Sequence, residues 1–221
     1  MIKEYGSVRL LDIEASAPAV WDFSGVTHVR AVLDAGPAAE MEMQRRGFFF
    51  ADRTLKVSIS LSRLPDGLDR MIRLPVVETN GYRQDILRIA CAAFTDDRRF
   101  HIRPDCDPEL AGLVLREWVD GLDEVLVCLF REKPVGFLAL KQSAPDAFFV
   151  HLAAVEERYR MTGAAMTLYA QACRLAASRG CRRLEGRVSS RNSAVLNVYA
   201  AFGASFSEPR DIFLKEVEHD A

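Results

Sequence analysis

The stretch FFVHLAAVEERYRMTGAA, Phe148 to Ala165, decides how the rest of the chain reads. Its first eight residues are an apolar run of strand length, and helical spacing sets in at Met161 and continues to Arg179. A buried strand that passes through a short loop into a long helix leaves the helix's first N–H groups without intrahelical partners. The positive end of the helix dipole faces the same way, so this junction suits a phosphate. Gly163 has no side chain and lets a pyrophosphate approach the backbone, and Ala164 and Ala165 keep the entrance small. Arg158 and Arg160 can add charge-assisted bonds. The expected phosphate-binding residues are Arg158, Arg160, Met161, Thr162, Gly163, Ala164 and Ala165.

Charge supports that reading. Residues 156 to 191 hold eight arginines and three glutamates, a net +5 within a chain of net −2, so the remainder carries −7. A local positive field on an acidic protein suits an anionic cofactor better than a nucleic-acid groove. The 221 residues can bury a sizeable core, as one large domain or two small ones. No apolar run reaches the roughly 20 residues of a membrane-spanning helix. The opening MIKEYGSVRLLDIE lacks the apolar centre of a secretory signal. Five cysteines (Cys91, Cys106, Cys128, Cys173 and Cys181) form no C-x-x-C pair. They suit thiols in a reducing cytoplasm and offer no metal-ligand spacing. No metal, nucleic acid or membrane partner is expected.

Outward from the opening stretch, short strands are expected at 7–13 and 26–33, then a helix at 38–46 that stops at Gly47. Alternation from Phe48 to Leu61 reads as a strand, and Pro65-Asp66-Gly67 as a turn. A boundary here divides an N-terminal α/β domain, residues 1–70, from a second domain, residues 71–221. The second begins with a strand at 74–78, a helix at 83–94, a charged and aromatic loop at 95–107 and a helix to about Asp120. Strands at 124–131 and 135–141 meet at Glu132-Lys133-Pro134. After the strand at 148–155, the helix at 161–179 buries Ala165, Leu168, Tyr169, Ala172, Leu175 and Ala176, and Gly180 ends it. A strand at 184–189, a helix at 192–202 and a strand at 211–217 complete an α+β (α/β) arrangement.

Arg160-x-x-Gly163-x-Ala165 after an apolar strand resembles the acyl-CoA motif of the GNAT (N-acetyltransferase) superfamily. A second pattern, Asn192, Val195, Tyr199 and Gly203, resembles that superfamily's next helix, and Asn192 and Tyr199 share one helical face. The resemblance covers residues 73 to 217. Arg98-Arg99-Phe100-His101, Asp105, a helix ending in Trp118-Val119, Gln44 to Phe48 and the pair Gly203-Ala204 are most similar to the dTDP-fucosamine acetyltransferase family. The N-terminus departs from it, with only Tyr5-Gly6 in place of an aromatic-rich entry.

The resemblance implies a mixed, mostly antiparallel twisted sheet flanked by helices, with acetyl-CoA as cofactor. It implies direct transfer to an amine, with backbone groups of Leu152, Ala153, Ala154 and Val155 gripping pantetheine and Asn192 beside the cofactor. Tyr199 would donate a proton to the departing thiolate. His151 is chemically competent as general base, or is a structural histidine in an apolar run. Glu156 and Glu157 read as solvated. Arg98 and Arg99 would meet a diphosphate, Phe100 stack on a base or sugar and His101 bond a hydroxyl; alternatively these four form a charged surface turn. A nucleotide-linked amino sugar is the implied acceptor. The alternatives are another small amine or a peptide, or a non-catalytic acyl-CoA sensor. The first 70 residues would extend the sheet, shape the acceptor cleft or support a homodimer.

Overall fold

A computed structural model describes residues 1–79, 81–94 and 108–217. In chain order the first half contains β1 (Ile2–Tyr5), β2 (Val8–Ala15), β3 (His28–Asp34), α1 (Pro37–Arg45), β4 (Phe49–Ser60) and the short α2 (Leu68–Met71). There follow β5 (Val76–Glu78), α3 (Arg83–Ala93), α4 (Pro108–Asp120), β6 (Glu124–Phe130), β7 (Lys133–Ala144) and β8 (Ala147–Val155). The chain ends with α5 (Ala164–Ser178), β9 (Arg183–Ser189), α6 (Ser193–Ala201) and β10 (Ser205–Glu216).

The strands form one sheet in the order β1-β2-β3-β10-β4-β9-β8-β7-β6-β5. It is antiparallel except at β2–β3 and β8–β9. Strands from either side of residue 70 interleave in it: β10 lies between β3 and β4, and β4 between β10 and β9. Alternation sorts the side chains to two faces. Leu138, Leu140, Phe148, Val150 and Leu184 join α5 and α6 in one core, while Phe137, Ala139, Leu152 and Ala154 join α3 and α4 in another. Tyr5, Val8 and Leu10 belong to the second core, so the β1–β2 hairpin packs beside α4. Among the described residues no helix is long and apolar enough to cross a membrane.

The long helix begins later than its spacing predicts. Glu157–Thr162 forms a 3-10 turn, Gly163 adopts φ 84° in the left-handed region, and α5 starts only at Ala164. A left-handed residue cannot continue a helix, so Gly163 separates the two pieces. At the other end Gly180 has φ 77°, with Cys181 N–H bonded to the Ala176 carbonyl and Gly180 N–H to that of Ala177. These two bonds satisfy the last carbonyls of the helix. The turn between β6 and β7 is Arg131-Glu132, both at positive φ, one residue earlier than expected. The final strand is six residues longer at its start, because Glu208 at φ 45° and a register shift between Ser207 and Arg210 hide its alternation.

Candidate active site

β8 and β9 run parallel only as far as Val150 opposite Gly186. Beyond that point residues 152–155 of β8 pair with β7 alone, in register with Ala139 to Gly136. The strands part, and a narrow cleft opens between them. Its lining comes from both faces of the sheet: Tyr169, Val150 and Tyr199 from the core under α5 and α6, and Phe94 and Leu152 from the core under α3 and α4. The parting of two central strands therefore brings side chains of both cores to one narrow passage between them.

Tyr199 is brought to this passage by α6 and is 1% exposed. Its ring meets Tyr169 edge-on, with centroids 4.9 Å apart. The residue that admits it is Gly186, where an added Cβ would stand 2.4 Å from the Tyr199 hydroxyl. The phenol tip thus lies against β9 at the last parallel pair. Asn192 also lines the cleft, but its side chain serves the fold: Oδ1 accepts the Val195 N–H at 3.1 Å and caps α6.

His151 stands at a bulge. Val150 pairs with Leu140 and Leu152 with Ala139, so His151 has no partner residue on β7. Alternation from Val150 already places the imidazole on the α4 side, and the extra residue keeps Leu152 on that side too, so the α5/α6 face passes from Phe148 and Val150 to Ala153 and Val155. The imidazole stacks on Trp118, with ring centroids 4.7 Å apart and planes at 20°. Burial pushes its pKa below the ordinary 6.5; Lys141 acts the same way and Asp123 opposes it. The imidazole is neutral at neutral pH, a state able to accept a proton.

The loop expected to bind phosphate is less uniform than its sequence suggests. Arg158 donates to Glu156 at 2.9 Å and lies over the Tyr159 ring at 4.9 Å. Glu156 is not solvated as expected: its side chain is 10% exposed and also pairs with Arg88. Burial raises its pKa, but bonds from Arg88 and Arg158 outweigh this and hold it below the usual value. Arg160 and Glu157 are exposed, and Met161 is 97% exposed. Thr162 spends its hydroxyl on the Tyr159 carbonyl, 2.7 Å away. Ala164 is buried and Ala165 half-buried. The first turn of α5 has no side-chain cap and no acidic residue. With a bare Gly163 beside it, this end of the helix fits a diphosphate.

Arg98, Arg99, Phe100 and His101 lie outside the described residues. Among the residues that the sequence does not single out for the site are Arg187 and Ser189, which line the cleft from β9, and Gly186 of the same strand, which admits Tyr199. Their signal is the alternation Leu184-Glu185-Gly186-Arg187-Val188-Ser189, which places the polar residues on the face opposite Tyr199. Arg187 is half-buried, with Nη1 donating to the Glu208 carbonyl at 2.9 Å. Its pKa is lowered by burial and then by Arg210.

Residues 84–204 match the acetyltransferase (GNAT) family. No curated protein matches the chain. Among solved structures, a functionally unknown conserved protein from Staphylococcus epidermidis has a TM-score of 0.64 at 17% identity, over 86% of this chain and 73% of that one. A GCN5-related N-acetyltransferase from Sphaerobacter thermophilus has a TM-score of 0.58 at 18% identity, over 86% of this chain and 59% of that one. A putative GNAT acetyltransferase from Novosphingobium aromaticivorans has a TM-score of 0.57 at 13% identity, over 88% and 77%. These likenesses concern the fold, whereas the family match spans more than half of the sequence, 121 of 221 residues. The chain belongs to the acetyltransferase (GNAT) family.

Proposed function

We propose that this acetyltransferase carries an acetyl group from acetyl-CoA directly to a primary amine held in the passage between β8 and β9. One observation carries the reading: the passage is lined from both faces of the sheet, with Tyr199 on one side and His151 on the other. A donor and an acceptor can then meet between the strands without crossing each other's path.

Acetyl-CoA supplies an activated thioester. The turn at Gly163 and the start of α5 would hold its diphosphate, and the edge of Leu152 to Val155 turned from β7 would orient its pantetheine arm. His151, neutral and fixed by Trp118, takes a proton from the attacking amine. The Tyr199 hydroxyl, set against Gly186, gives a proton to the departing sulfur. Asn192 acts at one remove, by fixing the start of the helix that carries Tyr199.

For the acceptor we favour a nucleotide-linked amino sugar, the class of the dTDP-fucosamine acetyltransferases that the sequence resembles. Arg187 in the cleft supports an acceptor bearing phosphate. Arg98, Arg99, Phe100 and His101 would complete that site. We read residues 1–70 as the part that frames the acceptor side, and place the protein in the cytoplasm, where its buried thiols Cys128 and Cys173 suit reducing conditions. The test is thiol release from acetyl-CoA with TDP- and UDP-linked amino sugars, the same sugars without nucleotide, and simple amines. Faster turnover of the nucleotide-linked sugars supports the assignment, and equal rates with and without nucleotide would remove it. CoA binding without turnover of any amine would leave a sensor in place of an enzyme.

A further inference from the structure

We propose that Arg73 is a cofactor-binding residue that grips the diphosphate of acetyl-CoA from across the turn at Gly163. This rests on the acetyl-CoA reading above and adds a residue outside the family match, which begins at residue 84.

The chain from α2 to Arg73 runs along α5 toward its N-terminus and is fixed there at three levels. Asp69 pairs with Arg174 near the helix's far end. In the middle, the Thr167 hydroxyl donates to the Met71 carbonyl at 3.1 Å and accepts the Arg73 N–H at 3.1 Å. Thr167 is 0% exposed, so both bonds are shielded from water and hold residues 71 to 73 against the helix. At the near end, Cδ of Arg73 lies 3.6 Å from the point where a Cβ on Gly163 would stand. The aliphatic stem therefore lies beside the bare glycine, and the guanidinium, bonded to that Cδ, is within reach of the start of α5.

What surrounds it gives this placement its meaning. The first turn of α5 offers backbone N–H groups and no carboxylate. Arg158, the loop arginine nearest in sequence to β8, is already engaged with Glu156 and the Tyr159 ring. Arg73 is exposed and, among the described residues, makes no ion pair. A planar guanidinium beside a helix N-terminus matches the paired oxygens of a diphosphate better than a point charge does. The backbone clamp at Thr167 fixes where the arginine starts, so less freedom is lost when it binds.

The experiment is calorimetric titration of the full chain with CoA and with 3′-dephospho-CoA, which share the diphosphate. Wild type is compared with Arg73→Met, which keeps the stem, and with Arg73→Lys, which keeps the charge without the fork. Loss of one charge-assisted bond predicts about tenfold weaker binding of both ligands by Arg73→Met. Arg73→Lys should recover part of that loss, and Arg73→Met should bind with a shallower dependence on salt. Thermal unfolding of each variant checks that this exposed substitution leaves the fold intact. Wild-type binding matched by Arg73→Met overturns the role of Arg73 alone. A loss confined to CoA, with 3′-dephospho-CoA unaffected, overturns the diphosphate assignment. A wild-type chain that binds neither ligand sinks the acetyl-CoA reading beneath it.

Discussion

Gly186→Ala probes the placement of the proposed proton donor. The new Cβ would stand 2.4 Å from the Tyr199 hydroxyl oxygen and 3.4 Å from both Cζ of that ring and Cγ2 of Val57. Non-bonded heavy atoms settle at roughly 3.5 Å, so the phenol must retreat by about 1 Å. It has little room to do so, being 1% exposed and edge-on to Tyr169. Overpacking of this kind costs about 1–3 kcal/mol, whereas alanine in a strand interior is ordinarily better than glycine by about 0.5–1 kcal/mol. With a clash this close the cost lies toward the upper end of that range, and a net loss of up to about 2.5 kcal/mol is expected in urea unfolding. A displacement of about 1 Å at the reacting centre can also lower kcat by about 100-fold.

The control is the same substitution in a Tyr199→Phe background. Removing the hydroxyl leaves Cζ at 3.4 Å as the nearest ring atom, a tolerable contact. The two substitutions should then be coupled by about 1 kcal/mol or more, the double variant being more stable than the sum of the singles predicts. If Gly186→Ala costs the same in both backgrounds, the phenol tip is not where β9 meets α6 and its role as acid falls with it.

Three further outcomes are expected. Tyr199→Phe alone should lower kcat and leave CoA affinity within about twofold of wild type, since a group used only in the transition state contributes little to ground-state binding; stopped-flow thiol release and calorimetry separate the two. His151→Gln should abolish the acid limb of kcat/KM: the depressed pKa keeps the imidazole neutral at pH 7 and places that limb below 6.5, and a limb that survives the substitution excludes His151 as base. Glu117 accepts from Lys3 at 2.9 Å and from Tyr5; burial raises its pKa, but those bonds outweigh this and hold it below the usual 4.5. A depressed carboxylate stabilises the fold above its ordinary pKa and loses that contribution as pH falls through the lower folded value. The Tm difference between wild type and Glu117→Gln should therefore shrink below pH 4.5, and a difference constant from pH 7 to 3 would show the tie to be idle.

Much of the second half is legible in the sequence because its elements are amphipathic or strongly apolar. Leu168, Tyr169, Ala172 and Ala176 are buried as the helical period requires, and the strand before them is placed within one residue. What stays hidden depends on partners remote in the chain. The bulge at His151 exists only in the register of β8 against β7, and one extra residue in an apolar run leaves no local mark. Gly186 reads as a weak point in a strand until α6 is folded over it. The start of α5 is displaced from its expected place because Met161 and Thr162 suit a helix; the left-handed turn at Gly163 is what excludes them. β1 is obscured because Lys3 and Glu4 interrupt its apolar pattern, although Tyr5 is buried against α4.

That obscured strand gives the first 70 residues a physical link to the chemistry. Lys3 and Tyr5 bind Glu117, the neighbour of Trp118 on α4, and Trp118 stacks on His151. β4 meanwhile flanks β9, with Val57 opposite Gly186, so it supports the strand on which Tyr199 rests. The N-terminal part therefore touches the machinery at both sides of the passage: through α4 at the proposed base and through β9 at the proposed acid. Its strands hold those places because they are threaded between β9 and β10 and across to α4, not packed as a separate layer. A change in β1 or β4 should move acceptor turnover before it moves CoA affinity, since the segment beside Gly163 is held by α2 and α5 instead. The proposed cofactor half of the site is built locally around one helix, and the proposed acceptor half is built by the topology of the sheet.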